Sequence, residues 1–553
     1  MTVPTIREEL SAFLAEALRA AQTAGEVASV PAATFEVERR GDELGDYSSA
    51  AAMRLARLAS AAPREIADAI VAHVPASASV KRVEVAGPGF INIWLDDAWV
   101  LRQIETIIAA GTAFGTSDVG AGETVQVEYL SANPTGPLTV GAGRVGVIGD
   151  ALARVLKASG YAVTREFYVN DAGRQIELLG QSIYHHYAKR FDVAVPFPDD
   201  GYQGGYVAAW AATIAAEDGR RWLNGEAPDD LAAFELRAVE MGLASIRRDI
   251  DDLGISFDEW FSERAMRERG DVRATLELLS SKGLVTERDG ATWFIAGEGT
   301  ADRENVLIRS RGDPTYFATD IAYHRNKFET RGFGRVIDVW GADHQGHVPR
   351  MKAAMEAIGI EPERFEILVA QMVGIREGKS LTRQGKRSGK FIPLREVLDE
   401  VGVAATRYFF LSKAIDSQME FDLELAKRED PENPVYYIQM AHARCAGIQR
   451  TAEAAPPAAE ADPSRLGADE AALLRTMLAY PEVVADASAN REPHRIAHYL
   501  LEFARAFHAY YNRNRVIGDD PALSAARLRL VLAVRQILAN GLGLLGIEAP
   551  ERM

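Results

Sequence analysis

The feature that most constrains this chain is an apolar strand that runs into two prolines, a glycine cluster and an amphipathic helix. Residues 125–150 read VQVEYLSANPTGPLTVGAGRVGVIGD. Val125, Val127 and Tyr129 alternate as one face of a strand. Pro134 and Pro137 break that period. Val145, Ile148, Leu152, Val155 and Leu156 then recur at helical spacing, and Gly160 stands where a helix stop belongs. Gly141, Gly143 and Gly146 spell G-x-G-x-x-G. A dinucleotide fingerprint needs its first glycine in a tight turn directly after the strand, and here about ten residues intervene. The acidic residue that such a fingerprint wants about 20 positions on is available in Glu166. That reading stays open but strained. The other reading is an anion site, because free N–H groups at a helix N-terminus and glycines without side chains bind phosphate.

At 553 residues the chain is long enough for about two to four domains. Its 47% apolar content is ample for real cores. The single cysteine, Cys445, excludes a disulfide framework and a cysteine-based zinc site, and fits a reducing cytoplasm. The first residues carry Glu8 and Glu9 with no apolar core, so no signal peptide is expected. No apolar run reaches the ~18 residues of a membrane span. The net charge of −17 argues, taken alone, against nucleic acid. An enzyme can still be acidic overall and basic locally. From Pro431 onward the chain holds 13 Arg, no Lys and 14 acidic residues, so the acidic excess lies upstream.

Three regions follow. Residues 1–118 read as a small α/β domain. It has a helix over 5–24, a polar turn over 41–47, an Ala-rich helix over 48–59, and strands over 81–85 and 90–94 around Gly87-Pro88-Gly89. Residues 119–430 alternate strands and helices as in a doubly wound, Rossmann-like sheet. Strands are expected over 123–130, 163–169, 336–340 and 366–373. An insertion is expected around 190–300, with 196–235 polar, Gly-rich and acidic. Residues 431–553 read as an all-α bundle of four or five amphipathic helices, with a loop over 462–469.

Two further clusters carry chemistry. Trp340-Gly341-Ala342-Asp343-His344-Gln345-Gly346-His347 follows a strand, and the carboxyl end of a strand is where open α/β sheets bind ligands. His344 and His347 sit three apart, but a metal site would need a third ligand, so hydrogen-bonded structure is the plainer reading. Residues 374–394 hold Arg376, Lys379, Arg383, Lys386, Arg387 and Lys390 among glycines, a composition suited to closing over a triphosphate. Between the first two clusters, Tyr316 and Asp320 stand four apart on one helical face.

Taken in order, these motifs resemble arginyl-tRNA synthetases, a class I family, over nearly the whole chain. The resemblance rests on Ser131-Ala132-Asn133-Pro134, the Gly341-Ala342-Asp343-His344 element, the 374–394 loop, the 314–323 segment and the tail motifs Asn433-Pro434-Val435-Tyr436-Tyr437 and Phe507-His508-Ala509-Tyr510-Tyr511-Asn512. It implies a class I doubly wound catalytic domain between the small α/β domain and the helical bundle. It implies an ATP site of Thr139, Gly141, Ala142, Gly143, Gly341, Asp343, His344 and Lys386. Thr139, Gly141 and Lys386 would carry catalysis, and Lys386 is the one lysine kept on the loop's signature positions. Arginine would meet Glu128, Asn133, Tyr316 and Asp320. The N-terminal domain either touches the tRNA elbow, as in the family, or is a packed appendage; both readings stay open. Tyr437, Tyr511 and Met553 are candidates for stacking on tRNA bases. The partners implied are tRNA(Arg), L-arginine and ATP with Mg²⁺, with no protein-held metal, no tightly bound cofactor and no membrane, in a cytoplasmic monomer. One departure matters. The family's two phosphate-binding histidines are Thr139 and Ala142 here; the first keeps a hydroxyl and the second keeps no donor. An alternative is therefore a catalytically weakened tRNA- or nucleotide-binding paralogue.

Overall fold

The computed structural model describes residues 5–30, 35–41, 44–223, 227–295, 305–377, 380–383, 392–454 and 460–553. The chain opens with helix α1 (Ile6–Thr23), fixed by a capping box in which Thr5 Oγ accepts from the Glu8 amide and Glu8 accepts from the Thr5 amide at 2.8 Å. Strands β1 (Val37–Arg39) and β2 (Tyr47–Ser49) precede helices α2 (Ala51–Ala59) and α3 (Pro63–Ala72). Strands β3 (Val80–Ala86) and β4 (Phe90–Leu95) complete an antiparallel sheet of order β1-β2-β4-β3. The expected helix over 48–59 starts later. Ser48 and Ser49 belong to β2, where their hydroxyls donate to Asn92 Oδ1 and to the Glu36 carbonyl, both at 2.7 Å. Helix α4 (Asp97–Ala110) leads out of this unit.

The central sheet is parallel and alternates with helices. It is built from β5 (Thr124–Tyr129), α5 (Val140–Ala158), β6 (Ala162–Val169), α6 (Arg174–Lys189), α7 (Gly205–Asp218), α8 (Ala227–Asp252) and β7 (Glu259–Ser262). Next come α9 (Glu263–Arg269), α10 (Asp271–Ser281), and a small antiparallel sheet of β8 (Val285–Arg288), β9 (Ala291–Phe294) and β10 (Val306–Ile308). Helix α11 (Tyr316–Arg325), β11 (Arg335–Gly341), α12 (Val348–Ile358) and β12 (Phe365–Ala370) close a sheet of order β12-β11-β5-β6-β7. The expected strand over 366–373 is two: β12 ends at Ala370, and Val373 begins β13 (Val373–Glu377) in another sheet. There β13 pairs with β14 (Ser380–Arg383) and β15 (Met419–Asp422). The polar stretch over 196–235 is not a bare insertion, because α6, α7 and α8 enclose their own core of Leu179, Ile183, Val207, Ala211, Ile214 and Phe234.

Helices α13 (Leu394–Phe410) and α14 (Leu423–Ala426) lead to the helical tail: α15 (Pro434–Ala454), α16 (Ala468–Met477), α17 (Tyr480–Ala489), α18 (His494–Arg513) and α19 (Pro521–Leu544). Its short break at Pro463–Arg465 is a 3₁₀ turn. Among the described residues no helix is long and apolar enough to cross a membrane. The N-terminal unit docks on the tail. Asp46 accepts from Arg475 Nε at 2.8 Å, Tyr47 Oη donates to Glu482 at 2.9 Å, and Arg7 pairs with Asp486 at 2.7 Å.

Helix α5 joins everything. A Cβ on Gly149 would lie 2.1 Å from Tyr129 Cγ, so only glycine lets α5 lie this close to β5. On the same helix the fully buried Asp150 accepts from Arg407 Nη2 at 2.5 Å. Arg407, also fully buried, donates to the carbonyls of Leu253 and Leu545, both at 2.8 Å. One guanidinium thus ties α5, the end of α8 and the end of α19 together. Arg407→Met leaves Asp150 with only Arg154 and orphans two carbonyls. It should destabilise the protein by about 3–5 kcal/mol, the cost of breaking a buried pair, read from urea unfolding of the full chain. A midpoint and slope equal to wild type would refute this role.

Candidate active site

Strands β5 and β11 lie side by side, with Glu128 opposite Asp338 and Tyr129 opposite Val339. The chain leaves β5 towards β6 and leaves β11 towards β12, in opposite directions along the sheet. A crevice opens at such a switch point, outside the strands' carboxyl ends, and it binds ligands. The dinucleotide reading fails at this point. The backbone that leaves β5 bends at Leu130 (φ 71°) and Ser131 (φ 34°), not at a glycine. The three glycines lie inside α5. Glu166 is buried and accepts from Tyr323 Oη at 2.5 Å and Arg331 Nη2 at 3.0 Å, so no ribose can reach it.

Thr139 is the N-cap of α5, and its Oγ accepts the Ala142 amide at 3.2 Å. Its hydroxyl proton remains available to a ligand. The Gly143 amide closes the first helical bond to the Thr139 carbonyl at 2.9 Å. Of the first-turn donors without an intrahelical acceptor, the Val140 amide turns to the 392–394 segment across the Thr139–Pro393 bridge, which leaves the Gly141 amide. Gly141 has open space where a side chain would be, its nearest neighbour being Thr139 Oγ at 3.9 Å. Gly143 instead faces Leu394, whose Cδ1 would lie 2.6 Å from a Cβ there. Packing accounts for that glycine. Ala142 is half-buried and offers no side-chain donor.

Across the crevice Gly341 ends β11, and Asp343 Oδ1 would lie 2.6 Å from a Cβ on it. Asp343 and His344 stand exposed beyond it. His347 is no partner for His344 in a metal pair, because its Nε2 bonds Asp320 Oδ2 at 2.8 Å. Lys386 lies outside the described residues, as does the loop over 384–391. Its stem is described: Gly374 pairs with Arg383 between β13 and β14. A residue that the motifs did not single out anchors the approach to that stem. Arg144, fully buried on α5, donates to the carbonyls of Gln371 (2.8 Å), Ser417 (3.0 Å) and Ala414 (2.8 Å). Burial pulls its guanidinium down to about 10.

Tyr316 opens α11 half-exposed, after the Thr315 cap, and Asp320 follows one turn on. Deeper lies a second carboxylate, Glu263 at the start of α9 directly after β7, paired with Arg267 at 2.5 Å. Burial raises the Glu263 carboxyl, Arg267 opposes this, and nearby Asp320 adds to it. With its side-chain amide turned over, the orientation that satisfies its neighbours, Asn170 donates to Glu263 at 3.2 Å. Tyr168, at the end of β6, faces the carboxylates of Glu263, Asp320 and Glu128, and burial with that negative surrounding pushes its phenol up. Asn133 sits at the exposed rim and donates to Gln175 at 2.9 Å. Glu128 is nearly buried: its Oε1 accepts from Ser131 at 2.9 Å and its Oε2 from Lys327 at 2.6 Å. Glu128, His324 and Asp338 hold their ligand atoms within 4.8 Å of one another, as a metal site would, but Lys327 supplies the cation there. Tyr168, Glu263 and Lys327 escaped the sequence reading. Tyr168 stands at the end of the expected strand over 163–169 and Glu263 directly follows β7, so the carboxyl ends of strands were the signal that could have found both.

In the tail, Tyr511 and Met553 line one groove of about 980 Å³ with Arg444, Arg450, Arg513 and Arg515. Arg444 lies over the Tyr511 ring at 4.7 Å. Tyr437 is not among the groove's lining; its ring packs on His508 at 4.3 Å.

Three family models match this architecture in order. They are the arginyl tRNA synthetase N-terminal domain over 5–95, the class I (R) tRNA synthetase catalytic domain over 103–412, and the DALR anticodon binding domain over 438–553. The arginine–tRNA ligase of Syntrophotalea carbinolica is 44% identical, with 99% of this chain and 100% of that protein covered. That of Thioalkalivibrio sulfidiphilus is 42% identical over the same shares. The Thermus thermophilus arginyl-tRNA synthetase structure superposes with a TM-score of 0.78 at 25% identity, covering 99% of this chain and 100% of that one. With the switch-point crevice, the helical tail and full-length identity above 40% all in agreement, the chain belongs to the arginyl-tRNA synthetase family, the class I ligases specific for arginine.

Proposed function

We propose that this protein joins L-arginine to tRNA(Arg) at the expense of ATP, with the residues above in the following roles. The observation that carries the assignment is the pair of carboxylates, Asp320 and Glu263, that lie close to one another and to the Tyr168 phenol, with Tyr316 half-exposed one turn before Asp320 on α11. A guanidinium is planar, permanently charged and forked, and carboxylates match it with charge-assisted bonds. Tyr316 offers its ring to the guanidinium plane. Glu128 and Asn133 hold the backbone end of the amino acid. The arginine carboxylate attacks the α-phosphorus of ATP and pyrophosphate leaves. The terminal ribose hydroxyl of tRNA then attacks the arginyl carbonyl and AMP leaves. Neither step needs a protein nucleophile; positioning and charge stabilisation supply the rate. The Thr139 hydroxyl, the Gly141 amide and Lys386 face the phosphates. Gly341, Asp343 and His344 face the nucleoside. Magnesium arrives on the ATP, held by phosphates and water. In the tail groove, Tyr511 and Met553 meet unpaired tRNA bases and the arginines meet phosphates, with Tyr437 a neighbour of that surface. The enzyme works as a cytoplasmic monomer.

The absent histidines favour one rival, a paralogue that binds tRNA and ATP without charging. Purified protein with tRNA(Arg), ATP and labelled arginine decides between them. Charging that depends on arginine is expected; nucleotide and tRNA binding with no charging would establish the rival.

Two substitutions probe the roles. Asp320→Asn should cost about 1.5–3 kcal/mol of arginine interaction, raising the arginine KM and sparing the ATP KM. An unchanged arginine response would move the guanidinium site elsewhere. Thr139→Val should lower kcat at least about tenfold with little change in ATP KM. Because Thr139 also caps α5, Thr139→Ser is the control: it keeps cap and donor and should stay close to wild type. Equal losses in both variants would show that the hydroxyl makes no phosphate contact.

A further inference from the structure

Behind the arginine pocket lies a buried charge cluster to which the proposed mechanism gives no task. Lys327 stands on the π-helical turn (Asn326–Thr330) that continues α11. Its side chain is fully buried. Nζ donates to Glu128 Oε2 at 2.6 Å and to Asp338 Oδ1 at 2.8 Å, and lies 4.3 Å from the centre of the Tyr323 ring. The other Asp338 oxygen meets His324 Nε2 at 2.6 Å, and His324 Nδ1 faces the Asp320 carbonyl at 2.7 Å. Both His324 nitrogens thus face oxygen atoms of the cluster's own segments.

We propose that Lys327 is a positioning residue for the amino-acid substrate: it keeps Glu128 ionised and aimed, and it couples that carboxylate to the helix bearing Tyr316 and Asp320. The proposal rests on the arginine site assigned above. Three features of the geometry and one electrostatic argument carry it. Glu128 is held at both oxygens, by Lys327 and by Ser131, and Ser131 Oγ also accepts the Tyr168 amide at 3.1 Å. The carboxylate plane is therefore set from two sides. The ammonium bridges β5 to β11, the two strands that flank the crevice. It belongs to the same helical segment as Tyr316, Asp320 and His324, so the two ends of the pocket share one support. A buried carboxylate beside a second one cannot stay charged without a cation.

The charged and titratable groups that face Glu128 are Lys327, Asp338, His324, Tyr323 and Tyr168, with Glu166 on the neighbouring strand beyond Lys327. Burial raises the Glu128 carboxyl while Lys327 pulls it down. If arginine binds to ionised Glu128, kcat/KM for arginine falls as pH drops through that group's pKa, so the profile has an ascending limb. Removing the cation raises the pKa and moves the limb to higher pH; removing the competing anion moves it to lower pH.

The test is the pH profile of kcat/KM for arginine, with the full chain and tRNA(Arg). Lys327→Gln should shift the ascending limb up by about one to three pH units and cut kcat/KM for arginine at neutral pH at least about tenfold, with the ATP KM within about twofold. Asp338→Asn leaves Lys327 to Glu128 alone and should shift the limb down; it also carries the test if Lys327→Gln does not fold. Limbs that stay at the wild-type pH, or equal losses for arginine and ATP at every pH, would reduce Lys327 to a structural cation and overturn the proposal. Wild-type protein that shows no arginine-dependent charging would instead remove the site assignment beneath it.

Discussion

The site depends on an ammonium group placed where two parallel strands each present a carboxylate to the interior. Glu128 and Asp338 are register partners on β5 and β11, and Lys327 Nζ sits between them. Desolvating such ions is expensive, and the attraction repays it only when geometry is good and the remaining lone pairs are satisfied. Here Ser131 and His324 take up the outer oxygens. The cluster can exist only if β5, β11 and α11 arrive in one arrangement. Tyr316, Asp320 and the floor of the crevice are thereby fixed relative to one another.

Arginine serves this acidic protein as an internal cross-link. Arg144 and Arg407 are both fully buried and spend their donors mainly on backbone carbonyls from distant segments. A planar guanidinium with five donors suits that task, where an ammonium would leave carbonyls unpaired. Through them α5, whose N-terminus is the proposed phosphate site, contacts the approach to the basic loop at one end and the C-terminal bundle at the other. The tail groove shows the complementary use: a protein of net charge −17 gathers arginines on one surface, which is how an acidic chain can hold a polyanion.

Motif reading reached the rim of the site and, of its floor, only Glu128. Thr139, Gly141, Tyr316, Asp320 and the 341–347 element stand at turns and helix starts, where local sequence dictates conformation and caps leave a signature. Gly143 belonged to the same motif, yet its small size serves Leu394. Glu263, Tyr168 and Lys327 lie just past a short strand, at a strand end and on a π-turn, and they converge from positions far apart in the chain. The polar turn expected over 41–47 shows the same limit. Asp46 and Tyr47 reach helices α16 and α17, more than 400 residues on, which no local pattern could reveal.

The sequence by itself determined the alternation of strands and helices, the helix start at Thr139, the family motifs and their order, and the helical tail, because each follows from periodicity, turn chemistry and short-range spacing. Tertiary structure alone decided that Glu166 is closed to any ribose, that Ser48 and Ser49 join a strand, that the strand expected over 366–373 serves two sheets, and that Lys327 sits between Glu128 and Asp338. The physical reason is common to all four. Burial, strand pairing and charge compensation are properties of groups brought together across the chain, and their free energies depend on partners that local sequence does not contain.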